Sequence, residues 1–361
     1  MKYKILGQSG LKVSQMCLGA MNWGSVTVGG STDEEAKGCF DAFVAEGGNF
    51  FDTANMYHYG HSSELLGDFI HSERDRFVIA TKCTFRPHPL EIKYPNDPNG
   101  AGHNRKYLVR EVERELKRLK TDYIDVLYLH SWDFSVPVKT LMQTLNDLVR
   151  SGKVLHLGAT NVPAYLVMEA NMIARQYGWA EFDACECQYS LLSRSIEREI
   201  IPMCDHLGLS VTVYEGLAGG LLCGDEEEIK QRFNGTAYPL PTKRELALMH
   251  EASVAAKEVG CSVPQVALAW LLSKGDNIIP IIGGRIGAHV TDNLGALNVQ
   301  LPQKVLDRLD EVSGYEIGFP QEMIRVCDVW VYNGQFNNIE MEVPKWYGMK
   351  RTRTSIGDFV D

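Results

Sequence analysis

Short apolar runs and helix-like segments alternate along most of the chain. Runs rich in Val, Ile, Leu and Phe lie near residues 13–19, 49–53, 77–82, 123–129, 154–159, 183–187, 210–214 and 278–282, and each has the length of a β-strand. Segments 31–47, 104–120 and 162–178 carry the capping residues, the helical apolar spacing or the final Gly that are typical of helices. Eight strand and helix repeats predict an α/β fold, a (β/α)8 TIM barrel.

An open, doubly wound sheet would show the same alternation. Its first strand is normally followed by a GxGxxG turn, and the segment LGAMNWGSVTVGG after the first run does not have that pattern. The chain of 361 residues fits one large barrel. We therefore predict a single domain over 1–361, with the barrel at about 3–313, extended loops, and a C-terminal extension at 314–361 over or beside the barrel mouth.

Composition excludes several classes of protein. Hydrophobic residues make up 45% of the chain and charged residues 23%, as in folded globular proteins. The net charge of -10 and the lack of a basic block argue against binding to nucleic acid or to an anionic membrane. The sequence shows no signal-peptide pattern and no apolar stretch of about 18 residues, so we expect a cytoplasmic protein.

The nine cysteines are scattered and show no CxxC spacing. We interpret them as reduced thiols that are mostly buried. A metal site at Cys185 and Cys187 is the alternative, but a structural metal site usually needs a second close pair of ligands, and the sequence offers none. We expect no bound metal.

Four polar residues follow strand-like runs and together form a possible proton-donating site. Asp52 and Tyr57 follow the second run, Lys82 closes the third and His130 closes the fourth. In a barrel, these positions meet at the carboxyl ends of the strands, where barrel enzymes carry out their chemistry. A tyrosine with a pKa of about 10 is a poor acid at neutral pH, but a neighbouring ammonium lowers that pKa. The combination predicts reduction or oxidation of a carbonyl or alcohol group.

Each of these residues has a structural explanation when it is considered alone. Tyr57 could be a half-buried loop residue, Lys82 a solvated strand end, His130 a hydrogen-bonded rim residue and Asp52 a helix cap. Their joint placement at one barrel opening favours the catalytic interpretation.

Six sequence blocks resemble the aldo-keto reductase superfamily, in its aryl-alcohol dehydrogenase-like and potassium-channel β-subunit-like branch. They are FFDTANMYHYGHSSELLG, VIATK, LKRLKTDYIDVLYLH, GKVLHLGATN, CQYSLL and NIIPIIGGRIGAHVTDNL, and they occur in the order of that family. The resemblance implies hydride transfer from NADPH to an aldehyde or ketone. By this resemblance, Tyr57 is the general acid, Lys82 tunes its pKa, Asp52 pairs with Lys82, and His130 orients the substrate.

The resemblance also implies a set of cofactor contacts. Thr160, Asn161 and Gln188 would bind the nicotinamide amide, and Tyr214 would stack on its ring. Other positions would line the site, approach the pyrophosphate or hold the adenosine end: Gly19, Ala20, Met21, Asp52, Glu215, Gly216, Leu217, Gly220, Gly283, Gly284, Arg285, His289, Asp292 and Asn293.

Two features bear on the choice of cofactor. Glu215 occupies a place where the family often has a small hydroxyl residue, and a carboxylate beside a pyrophosphate is repulsive unless it points away or meets a cation. Arg285 is the candidate partner for the 2′-phosphate of NADPH. We expect NADPH, with NADH as a possible alternative.

The substrate is expected to be a small molecule, either aromatic or apolar. Trp23, Tyr59 and Trp132 follow strand ends and could wall a pocket with Tyr57 and His130. The extension 314–361 could cover this pocket, form a dimer contact or pack outside the barrel; the oligomeric state is left open. The alternative function is a cofactor-binding regulatory subunit with weak turnover, resembling the channel β-subunits, but the presence of His130 argues against it.

Overall fold

The computed structural model describes residues 1–26, 29–86, 97–224 and 241–327, together with positions 227, 229 and 331. Within these residues, eight parallel strands close into a barrel surrounded by helices. The prediction of a (β/α)8 barrel is confirmed.

Every barrel strand falls on one of the eight apolar runs. The barrel strands are β3 (Cys17–Gly19), β4 (Phe50–Asp52), β5 (Val78–Cys83), β6 (Ile124–Leu129), β7 (Val154–Thr160), β8 (Phe182–Gln188), β9 (Ser210–Tyr214) and β10 (Ile278–Ile282). Two short strands, β1 (Tyr3–Ile5) and β2 (Lys12–Ser14), precede them and form a separate sheet. The closed order is β10-β3-β4-β5-β6-β7-β8-β9. Strands β3 to β10 are therefore neighbours in space in the order in which they occur along the chain.

The helices predicted at 31–47, 104–120 and 162–178 form within these bounds. The helices of the described residues are α1 (Asp33–Ala45), α2 (His61–Ile70), α3 (Arg105–Arg118), α4 (Val138–Arg150), α5 (Ala164–Tyr177), α6 (Ile200–Leu207), α7 (Lys243–Val259), α8 (Val263–Leu272), α9 (Gly287–Gly295), α10 (Gln303–Val312) and α11 (Gln321–Val326). The three predicted helices are α1, α3 and α5. Thr32 and Glu35 form a capping box at the start of α1, and Asn104 caps α3. Gly178 ends α5 in the left-handed conformation.

The first apolar run, 13–19, does not form one strand as expected. It is divided between β2, which pairs with β1 in an antiparallel hairpin, and β3, which pairs with β4 and β10. The chain turns between the two strands because Ser14 Oγ donates a hydrogen bond to Met16 O at 2.7 Å and Gln15 N donates to Lys2 O at 3.1 Å.

The hairpin closes the amino-terminal end of the barrel. Leu6 and Val13 are fully buried and belong to the same apolar cluster as Phe50, Val78 and Ile279 of the barrel strands. These apolar side chains fill the barrel interior towards the amino-terminal ends of the strands. The larger core lies between the strands and the surrounding helices.

Several expectations lie wholly or partly outside the described residues. The extended loops correspond to 84–103 and 223–242, long connections rich in Pro, Gly or Asn, and they are described only in part. The aromatic residues Trp330, Tyr332, Phe336, Trp346 and Tyr347 of the C-terminal extension lie outside the described residues. Phe319 is described and is 83% exposed. The role of 314–361 and the single-domain assignment over 1–361 stay predictions.

Two further observations concern the cysteines and the helices. Six of the nine cysteines are buried: Cys17, Cys39, Cys83, Cys185, Cys187 and Cys204. Across the described ranges, no helix combines the length and the apolar character needed to cross a membrane.

The hairpin depends on Gly7, and this can be tested. Gly7 has φ +53°, and a Cβ there would lie 2.0 Å from Asp183 O. We expect Gly7→Ala to lower the free energy of unfolding by about 3 kcal/mol or more, because the left-handed backbone costs about 1–2 kcal/mol and the clash adds to it. The matched control is Gly10→Ala, at φ +79° with no atom within 4 Å. Equal losses in urea unfolding of the two variants would contradict the tight contact.

Candidate active site

Three neighbouring strands bring the predicted catalytic residues together. Asp52 ends β4, Lys82 lies near the end of β5, and His130 directly follows β6. Strands β4, β5 and β6 pair side by side, so these side chains share the carboxyl end of the barrel. Tyr57 begins a short 3-10 turn after β4.

Lys82 lies at the centre of this group and is completely buried. Its ammonium donates hydrogen bonds to Asp52 Oδ2 and, at 3.1 Å, to the carbonyl oxygen of Thr53. Glu186 Oε1 lies 3.3 Å from the same nitrogen. Lys82 Nζ is 5.1 Å from the centre of the Tyr57 ring, and its charge lowers the pKa of the Tyr57 hydroxyl.

The turn that carries Tyr57 has an unusual backbone. His58 and Tyr59, which follow it, have φ values of 43° and 64°, in the left-handed region that non-glycine residues rarely adopt. Gly60 ends the turn at φ +95°, and a Cβ there would lie 2.5 Å from Arg118 Nε. Only glycine allows the turn to lie this close to the guanidinium group.

A buried polar network from α3 supports the turn. The Asn55 amide donates to Phe85 O at 2.9 Å and to the Tyr107 hydroxyl at 3.0 Å. Glu115 accepts hydrogen bonds from Thr81 Oγ1 at 2.7 Å and from Arg118 Nη1 at 2.8 Å. Apart from Asn55 Oδ1, which is buried without a hydrogen-bond partner among the described residues, these buried groups have partners that remove most of the cost of burying them.

His130 faces Tyr57 across the opening. The two ring centres are 5.9 Å apart at an interplanar angle of 86°, and the Phe85 ring lies 4.5 Å from His130. Burial and the nearby Lys82 ammonium lower the pKa of His130 to about 3. The imidazole is therefore neutral at physiological pH and acts through hydrogen bonding. In the described part of the chain, its Nδ1 is buried without a hydrogen-bond partner.

The pKa of Tyr57 differs from the expectation. Burial raises it, Lys82 lowers it, and Asp52 and Glu186 raise it again, with a net increase above the ordinary value. Lysine therefore opposes the increase but does not reverse it. The main reason is the burial of the phenol, and the two buried carboxyl groups beside the ammonium add to the increase; the sequence reasoning included only one of these carboxyl groups.

The predicted nicotinamide contacts lie next to this group. Tyr214 donates to Asn161 Oδ1 at 2.7 Å, and Asn161 Nδ2 donates to His130 O at 3.4 Å. Thr160 lies beside Glu186 in the sheet, and its buried hydroxyl has no hydrogen-bond partner among the described residues. A carboxamide supplies the donor and acceptor that such groups need, so these residues fit a nicotinamide.

Glu215 pairs with no cation among the residues that the structure describes. It has φ 54°, and its carboxylate accepts a hydrogen bond from Gln188 Nε2. Gln188, predicted to bind the nicotinamide amide, is thus paired with Glu215. Gly216 is buried directly after it, and Leu217 and Gly220 continue the same loop at intermediate exposure.

The predicted adenosine-binding block covers the loop after β10 and most of α9. Gly283 and Arg285 are exposed at the end of β10, Gly284 is partly exposed, and Arg285 N donates to His289 Nδ1 at 3.4 Å. Two residues of the block have structural partners instead. Asp292 accepts hydrogen bonds from Ser262 Oγ at 2.9 Å and Gln265 Nε2 at 2.8 Å, and Asn293 Nδ2 donates to Gly283 O at 2.9 Å.

Residues of the first barrel strand approach the opening. Gly19 ends β3 beside Asp52, and Ala20 N donates to Asp52 O at 2.7 Å. Met21 is 57% exposed. Gly19, Ala20 and Met21 therefore place small or flexible side chains beside Asp52, the partner of Lys82.

The predicted substrate residues separate into two groups. Tyr59 is 39% exposed, and Tyr57 and His130 face each other at the opening. Trp23 is completely buried and packs 5.7 Å from the Phe69 ring, and Trp132 is buried against His103. The structure therefore does not bring the two tryptophans to the open surface of the mouth, because each packs into the core behind it.

Sequence reasoning missed Glu186 and Phe85. Glu186 lies two residues before Gln188, and alternation along a strand places both on the same face. A charged residue in the middle of an apolar strand was the available signal. Phe85 belongs to a loop and carries no strand periodicity, so the sequence offered no signal for it.

Comparison with known proteins agrees with this geometry. The profile of the Aldo/keto reductase family matches residues 15–313. An aldo-keto reductase of Aspergillus calidoustus is 36% identical over 90% of this chain and 85% of its own length. A putative aryl-alcohol dehydrogenase of Saccharomyces cerevisiae is 33% identical (88% and 87%), and a norsolorinic acid reductase of Emericella nidulans is 35% identical (88% and 82%). The chain therefore belongs to the aldo/keto reductase family of oxidoreductases.

Proposed function

We propose that the protein is an NADPH-dependent carbonyl reductase and alcohol dehydrogenase in which Tyr57 is the proton donor. The observation that carries this proposal is the position of the buried Lys82 ammonium, 5.1 Å from the centre of the Tyr57 ring, with the His130 ring on the other side of Tyr57 at 5.9 Å. The substrate is an aldehyde or ketone with an aromatic or apolar body.

The bound cofactor supplies the hydride that reaches the carbonyl carbon. The carbonyl oxygen gains negative charge as the hydride arrives, and it takes the proton from Tyr57 Oη. The phenolate that remains is stabilised by the Lys82 ammonium, which Asp52 and the Thr53 carbonyl hold in place. In the oxidation direction the same phenolate accepts the proton of the alcohol.

His130 orients the substrate without charge. Its pKa of about 3 keeps the ring neutral, so it can donate one hydrogen bond to the carbonyl oxygen and does not compete with Tyr57 as an acid. The backbone nitrogen of His130 donates to Thr84 Oγ1 and Cys83 O, both at 3.1 Å, which fixes the base of the side chain.

Two features support NADPH as the cofactor. Asn161, Tyr214 and the unpaired hydroxyl of Thr160 surround the side of the opening next to His130. The exposed Arg285 precedes helix α9, whose N-terminus adds a partial positive charge favourable to phosphate.

The opening favours an aromatic or apolar substrate. Phe85 and Tyr59 are each 39% exposed, and Phe85 lies directly against His130. An aromatic body that lies against these rings brings its carbonyl close to Tyr57 and His130. The names of two relatives, an aryl-alcohol dehydrogenase and a norsolorinic acid reductase, are consistent with this class.

The role of Tyr57 can be tested by Tyr57→Phe. The variant loses only the hydroxyl group, so we expect kcat for reduction of an aryl aldehyde to fall at least about 100-fold, the usual contribution of general acid catalysis. The Kd for NADPH, measured by fluorescence titration, should change less than about twofold. Tyr123→Phe, which removes a partly exposed hydroxyl at the opposite end of the barrel, is the control.

A stopped-flow measurement on the wild-type protein, compared with Tyr57→Phe, separates an enzyme from a cofactor-binding regulatory subunit. Stopped-flow oxidation of bound NADPH by a panel of aldehydes should be rapid in the wild-type protein. Retention of most of the activity in Tyr57→Phe would reject the proton-donor role, and slow oxidation in the wild type by every aldehyde would favour the regulatory subunit.

Cofactor preference can be tested by Arg285→Ala. A charge-assisted hydrogen bond is worth about 1.5–3 kcal/mol, so we expect the Kd for NADPH to increase roughly 10- to 100-fold. The Kd for NADH, which lacks the 2′-phosphate, should change little. Arg105→Ala removes another exposed arginine, one paired with Asp147 on the outer helices, and serves as the control. Equal weakening of both cofactors would show that Arg285 does not contact the 2′-phosphate.

A further inference from the structure

Glu186 is a buried carboxyl group at the active site that the proposed mechanism does not use. It lies on β8, opposite the strands that carry Asp52 and Lys82, and is 3% exposed. Its Oε1 atom is 3.3 Å from Lys82 Nζ. The Asp52 and Glu186 carboxyl groups therefore both lie against the same buried ammonium.

Two carboxyl groups that lie against one buried ammonium are balanced in charge only if one of them carries a proton. Asp52 Oδ1 and Glu186 Oε2 are both buried, and no N–H or hydroxyl group of the described residues donates to either oxygen. Two carboxylates beside one ammonium would leave a net negative charge in the barrel interior, which is costly in a medium of low polarity. One shared proton makes the group neutral.

The remaining groups around Glu186 do not change this charge balance. Burial raises the pKa values of Cys17, Tyr128, Cys187 and Tyr214, so all four are neutral at physiological pH. His130 is neutral because its pKa is low. The charge next to Tyr57 is therefore decided by Lys82, Asp52 and Glu186 alone.

We propose that Glu186 is a positioning residue that shares one proton with Asp52, so that the Lys82 ammonium acts on Tyr57 without a second opposing charge. The inference rests on the proposed function of Tyr57 as the proton donor. Asp52 holds the ammonium as a carboxylate, and Glu186 carries the proton as a carboxylic acid.

The proton is assigned to Glu186 because the two carboxyl groups differ in their contacts. Asp52 accepts a direct hydrogen bond from Lys82, whereas Glu186 lies farther from the ammonium. Burial and the neighbouring Asp52 raise the pKa of Glu186. As the pH rises, Glu186 loses its proton, and the new negative charge raises the pKa of Tyr57 and weakens it as an acid.

The rate of carbonyl reduction should therefore fall as the pH increases through the titration of Glu186. A change of about one unit in the pKa of Tyr57 corresponds to about tenfold in acid strength. We expect kcat/KM for aldehyde reduction to fall roughly three- to tenfold across this titration in the wild-type protein. Glu186→Gln keeps the shape of the protonated group and cannot ionise, so this fall should be absent in the variant.

Infrared difference spectroscopy tests the proton without turnover. With isotope-labelled glutamate, the wild-type protein at neutral pH should show the C=O stretch of a protonated carboxylic acid that Glu186→Gln lacks. Asp125→Asn, which removes a buried carboxylate paired with Arg74 at the other end of the barrel, is the control; it should lower the melting temperature but leave the band and the pH profile unchanged.

Asp52→Asn provides a test that does not depend on the folding of Glu186→Gln. Without Asp52, Glu186 becomes the partner of Lys82 and should ionise, so the band should disappear at neutral pH. Persistence of the band in Asp52→Asn, its absence from the wild type, or an unchanged pH profile in Glu186→Gln would each overturn the proposal. An inactive wild-type protein that still shows the band would instead reject the proposed function alone.

Discussion

The active site depends on a single buried ammonium group. Lys82 is completely inaccessible to solvent, and a lysine in such a place is stable only when its charge is compensated by close partners. Burial lowers its pKa, but Asp52, Glu186 and Tyr57 raise it well above the ordinary value, so the charge persists. Asp52 and Glu186 therefore keep Lys82 charged, and they hold its ammonium beside the Tyr57 ring.

The closed barrel makes this compensation possible. Asp52, Lys82 and Glu186 come from β4, β5 and β8, and only a closed sheet brings side chains from opposite walls within reach of one nitrogen. The apolar interior below them, sealed by the β1–β2 hairpin, excludes water from one side. The opening at the carboxyl ends of the strands is then the side from which a substrate can approach.

The sequence predicted the parts of the molecule that depend on periodicity. All eight barrel strands, the capping residues of α1, the apolar spacing of α3 and the final Gly of α5 were recognisable because local patterns determine them. The hairpin was missed because the run 13–19 looks continuous, and its division depends on the contacts of Ser14 and Gln15.

Contacts across the barrel were harder to predict than positions along it. Alternation places Glu186 on the inner face, but nothing in the sequence shows that it reaches the nitrogen of Lys82 on the far wall. Trp23 and Trp132 follow strand ends, as substrate residues often do, yet both pack inwards. Whether a side chain after a strand faces the mouth or the core depends on the loop backbone, which has no periodic signature.

The turn after β4 shows why the supporting network is as large as it is. His58 and Tyr59 both occupy the left-handed region, at a cost of about 1–2 kcal/mol each, and a turn under such strain would relax if nothing opposed it. Buried Glu115 and Arg118 tie α3 to the end of β5, and Arg118 lies against Gly60 at the end of the turn. Because relaxation of the turn would move Tyr57 relative to Lys82, the buried ion pair in α3 supports the geometry of the proposed proton transfer without touching the reacting atoms.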